Sequence, residues 1–86
     1  MGAFLEPAVQ IAFPPDRAVV EAERDEPIQL RAEGGVLPLT WLIDGAPLLS
    51  EPHRRDAAWQ PQSRGFARVT VIDARGRTDR AVIRIR

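Results

Sequence analysis

Histidine, serine and paired carboxylates are the side chains with which a small domain does hydrolytic or metal chemistry, and few of them are suitably placed in this chain. His53 is the sole imidazole and stands between Pro52 and Arg54 in a polar stretch. A histidine-based metal centre needs further converging ligands, so His53 reads as a solvated loop residue. Ser50 and Ser63 are the only serines. Ser50-Glu51-Pro52-His53 has no general base in a recognisable nucleophile turn, and Ser63 runs into Arg64-Gly65-Phe66. Closeness along the chain says little about attack geometry. Asp73, Gly76 and Asp79 suggest an oxygen-rich loop, but Arg75 and Arg77 set cations where calcium demands donors. Turn formation is therefore the reading. Gly34-Gly35 lacks the Lys-Ser/Thr continuation of a phosphate cradle, and the chain has no lysine at all. No catalytic residue, metal site or cofactor is expected.

Recognition offers more. Trp59 and Phe66 are aromatic residues that could stack on a sugar ring or meet a partner protein, although packing in a core or at a sheet edge is the commoner use. Arg68, Arg80 and Arg84 could bind an anionic glycan or an acidic protein surface, and a plain solvated strand face is the alternative. These five residues are the candidate interaction set.

Size and composition narrow the setting. With 86 residues there is room for one domain and one modest core. Twelve Arg balance six Asp and six Glu, but unevenly: residues 1–43 carry three Arg against seven acids, and residues 44–86 carry nine Arg against five. Two faces of one sandwich account for such an asymmetry, and no nucleic-acid partner is expected. The absence of Cys rules out a disulfide scaffold and a thiolate metal site without assigning a compartment. Met1-Gly2-Ala3-Phe4-Leu5 has neither a basic region nor a long apolar run, so it reads as neither signal peptide nor membrane span. Any export signal would lie upstream.

The elements that must position these residues are strands. Leu39-Thr40-Trp41-Leu42-Ile43 alternates, with Leu39, Trp41 and Ile43 on one side and Thr40 and Asp44 on the other. A Trp on the inward side fills much of a small core. Asp44-Gly45 supplies the turn, since Gly accepts positive φ and Asp can bond the backbone two residues on. Residues 1–8 read as a leader or the remnant of a preceding linker, and residues 9–86 as the domain. Val9, Ile11 and Phe13 share one side of the first strand, which Pro14-Pro15-Asp16 closes. Ala18 to Glu21 is a short edge strand, Ile28-Leu30-Ala32 an inward row, and Ala46 to Leu49 a short return. Ser50 to Asp56 is a loop, and Ala57 to Pro61 a strand or bend at a sheet margin.

The final hairpin is the strongest pattern. Gly65–Asp73 and Arg77–Arg86 flank Ala74-Arg75-Gly76, which fits a three-residue connection with Gly76 left-handed and a local bulge. That register pairs Val69 with Ala81 and Ala67 with Ile83 on the inward side. Phe66, Arg68, Thr70, Arg80, Val82, Arg84 and Arg86 then face outward. Leu30, Trp41, Val69, Val71 and Ile83 form the expected core. No helical apolar period competes, and the short strands separated by Gly, Pro and Asp turns predict a two-sheet sandwich.

Several separated pieces also resemble one family. Ile11-Ala12-Phe13-Pro14-Pro15-Asp16, Leu30-Arg31-Ala32-Glu33-Gly34-Gly35 and Pro38-Leu39-Thr40-Trp41-Leu42-Ile43-Asp44-Gly45 look like the C-terminal domain of bacterial penicillin-binding protein 1C. Trp59-Gln60-Pro61, the run Gly65 to Arg77 and the strand Val82 to Arg86 continue the likeness, which spans 11–86. The resemblance implies an all-β, immunoglobulin-like antiparallel β-sandwich of about seven strands. Its parent would be a periplasmic, inner-membrane-anchored synthase joining a peptidoglycan glycosyltransferase to a penicillin-sensitive transpeptidase. The Ser-x-x-Lys, Ser-x-Asn and Lys-Thr-Gly motifs of that transpeptidase class are absent here, so no catalytic residue carries over. What remains is a noncatalytic module that docks upstream domains of its synthase or another envelope protein, with direct peptidoglycan or carbohydrate binding as the alternative.

Overall fold

A computed structural model describes residues 7–86. Eight strands follow one another: β1 (Gln10–Phe13), β2 (Val19–Val20), β3 (Ile28–Glu33), β4 (Thr40–Ile43), β5 (Ala46–Pro47), β6 (Asp56–Trp59), β7 (Gly65–Ile72) and β8 (Thr78–Ile85). They make two sheets, ordered β1-β3-β6 and β2-β8-β7-β4-β5, and the described residues contain no helix. Of the leader expected at 1–8, residues 1–6 lie outside the described residues. Pro7 runs directly onto the fold, its carbonyl accepting the Gly35 N–H at 2.8 Å.

The β7–β8 ladder is the longest, eight residues on each strand, and it has the expected register: Val69 opposite Ala81 and Ala67 opposite Ile83. Its turn is closed by the Gly76 N–H donating to the Asp73 carbonyl at 3.0 Å, with Gly76 at φ 81°. Gly tolerates that left-handed geometry without the steric cost a Cβ brings. The buried Asp73 carboxylate accepts the N–H groups of Arg75 at 3.0 Å and Arg77 at 2.9 Å, and the Arg77 guanidinium at 2.8 Å. It also accepts the Val36 N–H at 3.1 Å, while the Val36 carbonyl takes the Ala74 N–H at 2.8 Å. The hairpin end and the β3–β4 connection are thus fastened to one carboxylate. Burial pushes this carboxyl upward, but the Arg77 side chain and the N–H groups of Val36, Arg77 and Arg75 outweigh it and hold it at about 2.

Trp41 sits opposite Val71 on β4, and its ring is buried with Leu30, Leu39, Val69, Val71 and Ile83. Leu30 comes from the smaller sheet, whose β3 alternates strictly between buried and exposed residues. The indole N–H of Trp41 finds no acceptor among the described residues, so the residue serves the core through its apolar volume. Asp44 at φ 50° and Gly45 at φ 84° form a two-residue turn from β4 to β5, the mirror-type hairpin that matches strand twist. The Asp44 carboxylate does not bond two residues on. It reaches across to β7 and accepts the Arg68 N–H at 2.9 Å.

Two expectations about the first strands are corrected. The register slips between Ile11 and Phe13, which face Ala32 and Arg31 respectively, so Ala12 is the extra residue of a β-bulge. The bulge turns Phe13 outward, 43% exposed, and Pro14 takes the inward place. The sandwich is also not wholly antiparallel, because β2 runs parallel to β8. Pro14 and Pro15 offer no donors to continue the β1 ladder. The chain therefore crosses between the sheets at Pro14–Arg17 and resumes beside β8 in its original direction.

Trp41→Ala should cost roughly 3–5 kcal/mol in denaturant unfolding, and Trp41→Phe clearly less, since the lost N–H has no protein acceptor; a Trp41→Ala loss under about 1 kcal/mol would contradict the packing described. Asp73→Asn should lower the thermal midpoint at neutral pH. The folded-state value lies below the ordinary one, so the stabilising contribution is full above about pH 5 and fades as pH falls toward 2. The gap between wild type and variant should therefore close over that window, and a constant gap would show that the charge of Asp73 is irrelevant.

Candidate docking face on the larger sheet

The outer surface of the larger sheet is built by three rows of side chains running across its strands. Val19 on β2, Arg84 on β8 and Phe66 on β7 are successive neighbours in the first row. Val82 and Arg68 form the second, and Arg80, Thr70 and Leu42 the third. Phe66 is 77% exposed and Val19 54%, and neither belongs to the core cluster. The Arg84 guanidinium lies 5.9 Å from the centroid of the Phe66 ring, within reach of a cation–π contact that holds the charge over the aromatic face. Val82 borders the same surface, and a shallow groove runs between Asp16, Arg17, Val19, Phe66, Val82 and Arg84.

The groove wall is rigid because the sheet edge is tied down there. The Asp16 carboxylate accepts the Val82 N–H at 2.8 Å, and the Arg17 N–H donates to the Val82 carbonyl at 2.7 Å. Further along, the Ala18 carbonyl accepts the Arg84 N–H at 2.9 Å. Asp16, Arg17 and Val19 were not among the candidate residues. Their signal was the short apolar run after Pro14-Pro15, which marks an edge strand but not the strand it joins.

Of the five candidate interaction residues, Phe66, Arg68, Arg80 and Arg84 are exposed and share this face. Trp59 is separate from them. It lies on β6 of the smaller sheet, points inward and is 9% exposed, so its ring lacks the open face that stacking on a sugar requires. Thr70, expected in the outward row, points outward but is buried, being flanked on the central strand β7 by Leu42 and Arg80. The residues proposed for the core, Leu30, Trp41, Val69, Val71 and Ile83, are all buried.

His53 and Ser63 are exposed loop residues, and among the described residues no three of His, Cys, Asp and Glu gather to hold a metal ion. No helix of the described residues is long and apolar enough to cross a membrane.

Comparison with known proteins adds the family context. The model of the Penicillin-Binding Protein C-terminus Family matches residues 2–85. The fold is similar to that of the fibronectin(III)-like modules of CbhA from Clostridium thermocellum, with a TM-score of 0.62, 17% identity, and coverage of 90% of this chain and 92% of that one. No curated protein sequence matches the chain.

If Phe66 is a surface contact and not a core residue, Phe66→Ser should change folding stability by no more than about 0.5 kcal/mol. Denaturant unfolding beside the Trp41 variants checks this, and a loss above about 1 kcal/mol would return Phe66 to packing.

Proposed function

The chain belongs to the Penicillin-Binding Protein C-terminus Family, and on that premise we propose that it is the noncatalytic docking module of a bifunctional peptidoglycan synthase. The parent would carry the glycosyltransferase and transpeptidase in other domains, as in penicillin-binding protein 1C, and act in the periplasm. The module binds upstream domains of that synthase or another envelope protein. The observation that supports this most is the row Val19–Arg84–Phe66, in which a well-exposed Phe and Val lie on a hydrogen-bonded sheet with an Arg between them. Apolar groups of this kind gain by leaving water, and the surrounding Arg side chains offer forked donors to carboxylates on a partner. Charge at the rim speeds encounter and fixes orientation, while the apolar centre sets the lifetime.

Peptidoglycan binding is the weaker reading, because Trp59 presents little surface for a sugar ring. Both readings meet in one measurement. The 86-residue chain should bind the purified remainder of its synthase, or a purified envelope partner, in titration calorimetry, with affinity that falls as salt rises. Arg68→Ala with Arg84→Ala should weaken that binding at least about tenfold while the circular-dichroism spectrum and melting transition persist. Unchanged binding by the folded double variant would reject the face. Saturable binding of purified glycan strands by the folded chain, without any protein binding, would move the function to carbohydrate recognition.

A further inference from the structure

Each sheet of an open sandwich has two edges, and an edge strand offers unpaired N–H and C=O groups to any passing strand unless something blunts it. Three of the four edges here are blunted. On β1 the outward N–H of Ile11 is taken by the Asp79 carboxylate at 2.8 Å. On β5 the outward residue is Pro47, which has no N–H. On β2 only two residues pair, and Ala18 and Val20 both turn their carbonyls to β8, leaving Val19 alone facing out.

The fourth edge is β6. The Arg55 carbonyl accepts the Ala32 N–H at 2.7 Å, which places Arg55, Ala57 and Trp59 at the positions that bond β3. By the alternation of an antiparallel ladder, the N–H and C=O groups of Asp56 and Ala58 point the other way, off the sheet. No strand lies beyond β6, and no other backbone takes these four groups among the described residues, the Asp56 carboxylate alone turning back toward its own N–H. The charges beside this edge are lopsided. Arg31, directly across from Asp56 on β3, joins Arg54, Arg55 and Asp56 around a shallow depression beside this edge. Asp56 is the one acid there, and it is gripped by Arg54 through bonds of 2.9 and 3.2 Å. Arg31 also acts on Asp56 through its charge, and Arg55 reaches the Gly35 carbonyl at 3.2 Å, so three cations share one acid and the depression keeps a net positive charge.

We propose that the β6 edge accepts an extended, carboxylate-bearing polypeptide segment as a fourth strand of the smaller sheet. The backbone groups of Asp56 and Ala58 supply the ladder bonds, as in other strand-addition complexes. Side chains of the added strand alternate between two surroundings. Those on the outer face meet Arg31, within the net positive charge that Arg54 and Arg55 add around Asp56, which selects Asp or Glu. Those on the inner face pass the margin of the core at Ala57 and Trp59, which selects apolar residues. The segment recognised is therefore one in which acidic and apolar residues alternate. This surface belongs to the opposite sheet from Phe66 and Arg84, so it stands or falls separately from the docking face.

The test uses an acetylated octapeptide of alternating Val and Glu, compared with one of alternating Val and Lys, titrated into the 86-residue chain. Amide exchange is followed by NMR. The Glu peptide should slow exchange at Asp56 and Ala58 in a saturable way, and the Lys peptide should not. Ala58→Pro removes an outward donor without touching the β3 ladder and should abolish the protection. Arg31→Gln with Arg55→Gln should weaken binding about tenfold, and it carries the test should the proline variant unfold. Arg68→Ala with Arg84→Ala should leave it unchanged. Unaltered exchange at both amides, equal binding of the Lys peptide, or protection explained by a concentration-dependent dimer of the free chain would each overturn the proposal.

Discussion

The register between β7 and β8 is the constraint on which the rest of this sandwich depends. Side chains of both strands alternate in direction, with outward Thr70 covered by its neighbours, so a slip of one residue would turn Ala67, Val69 and Val71 outward and drive Phe66 and Arg68 into the core. Asp73 prevents that slip by binding the turn on both sides of Gly76. The same carboxylate fixes Val36, and through it the approach to β4. The strand bearing Trp41 is thus set against β7 by a turn far from the ring itself. Electrostatics and packing cooperate here: the charge is tolerated in a buried position because five N–H donors from Val36, Arg75 and Arg77 surround it.

A second constraint shapes what is left over for function. By crossing from the smaller sheet to the larger at Pro14–Arg17, the chain covers the β8 edge with Asp16, Arg17 and β2 while leaving the outer face of that sheet bare. Covering the edge also supplies Val19 to the row that ends at Phe66. One crossing thereby suppresses edge pairing on the larger sheet and widens its apolar surface. The smaller sheet has no equivalent crossing on its β6 side.

Much of this was legible in the residues, and the parts that were not have definite physical causes. The β7–β8 register could be read because Ala74-Arg75-Gly76 supplies a turn whose length and left-handed Gly determine parity. Leu30, Trp41, Val69, Val71 and Ile83 could be read because their strands obey a period of two. Phe13 could not, since the bulge at Ala12 is a backbone event without a residue signature, and one inserted residue inverts every side chain after it. Thr70 escaped because alternation reports direction and not cover, and a central strand has neighbours on both sides. The partner strand of β2 was likewise invisible: a two-residue strand shows that it is extended, while its pairing is decided by where two prolines send the chain. For Trp59 the residues left core and surface open, and the strand's inward parity at Ala57 and Trp59 decides between them.

The two candidate surfaces differ in the kind of information they can carry. The Phe66–Arg84 face contacts a partner only through side chains, so its specificity depends on the shape and charge of a folded surface, and single substitutions there can tune it without touching the fold. The β6 edge contacts through backbone, which any extended chain can match, so discrimination falls to the few side chains beside it. Three edges of the sandwich carry devices against indiscriminate pairing, and the fourth has in their place Arg31 and Arg55 next to a single acid already held by Arg54. An unpaired edge flanked by a net excess of positive charge would repel basic strands and admit acidic ones. On the strand-addition proposal, the charge around β6 would do the filtering that proline, a capping carboxylate and shortness do at the other three edges.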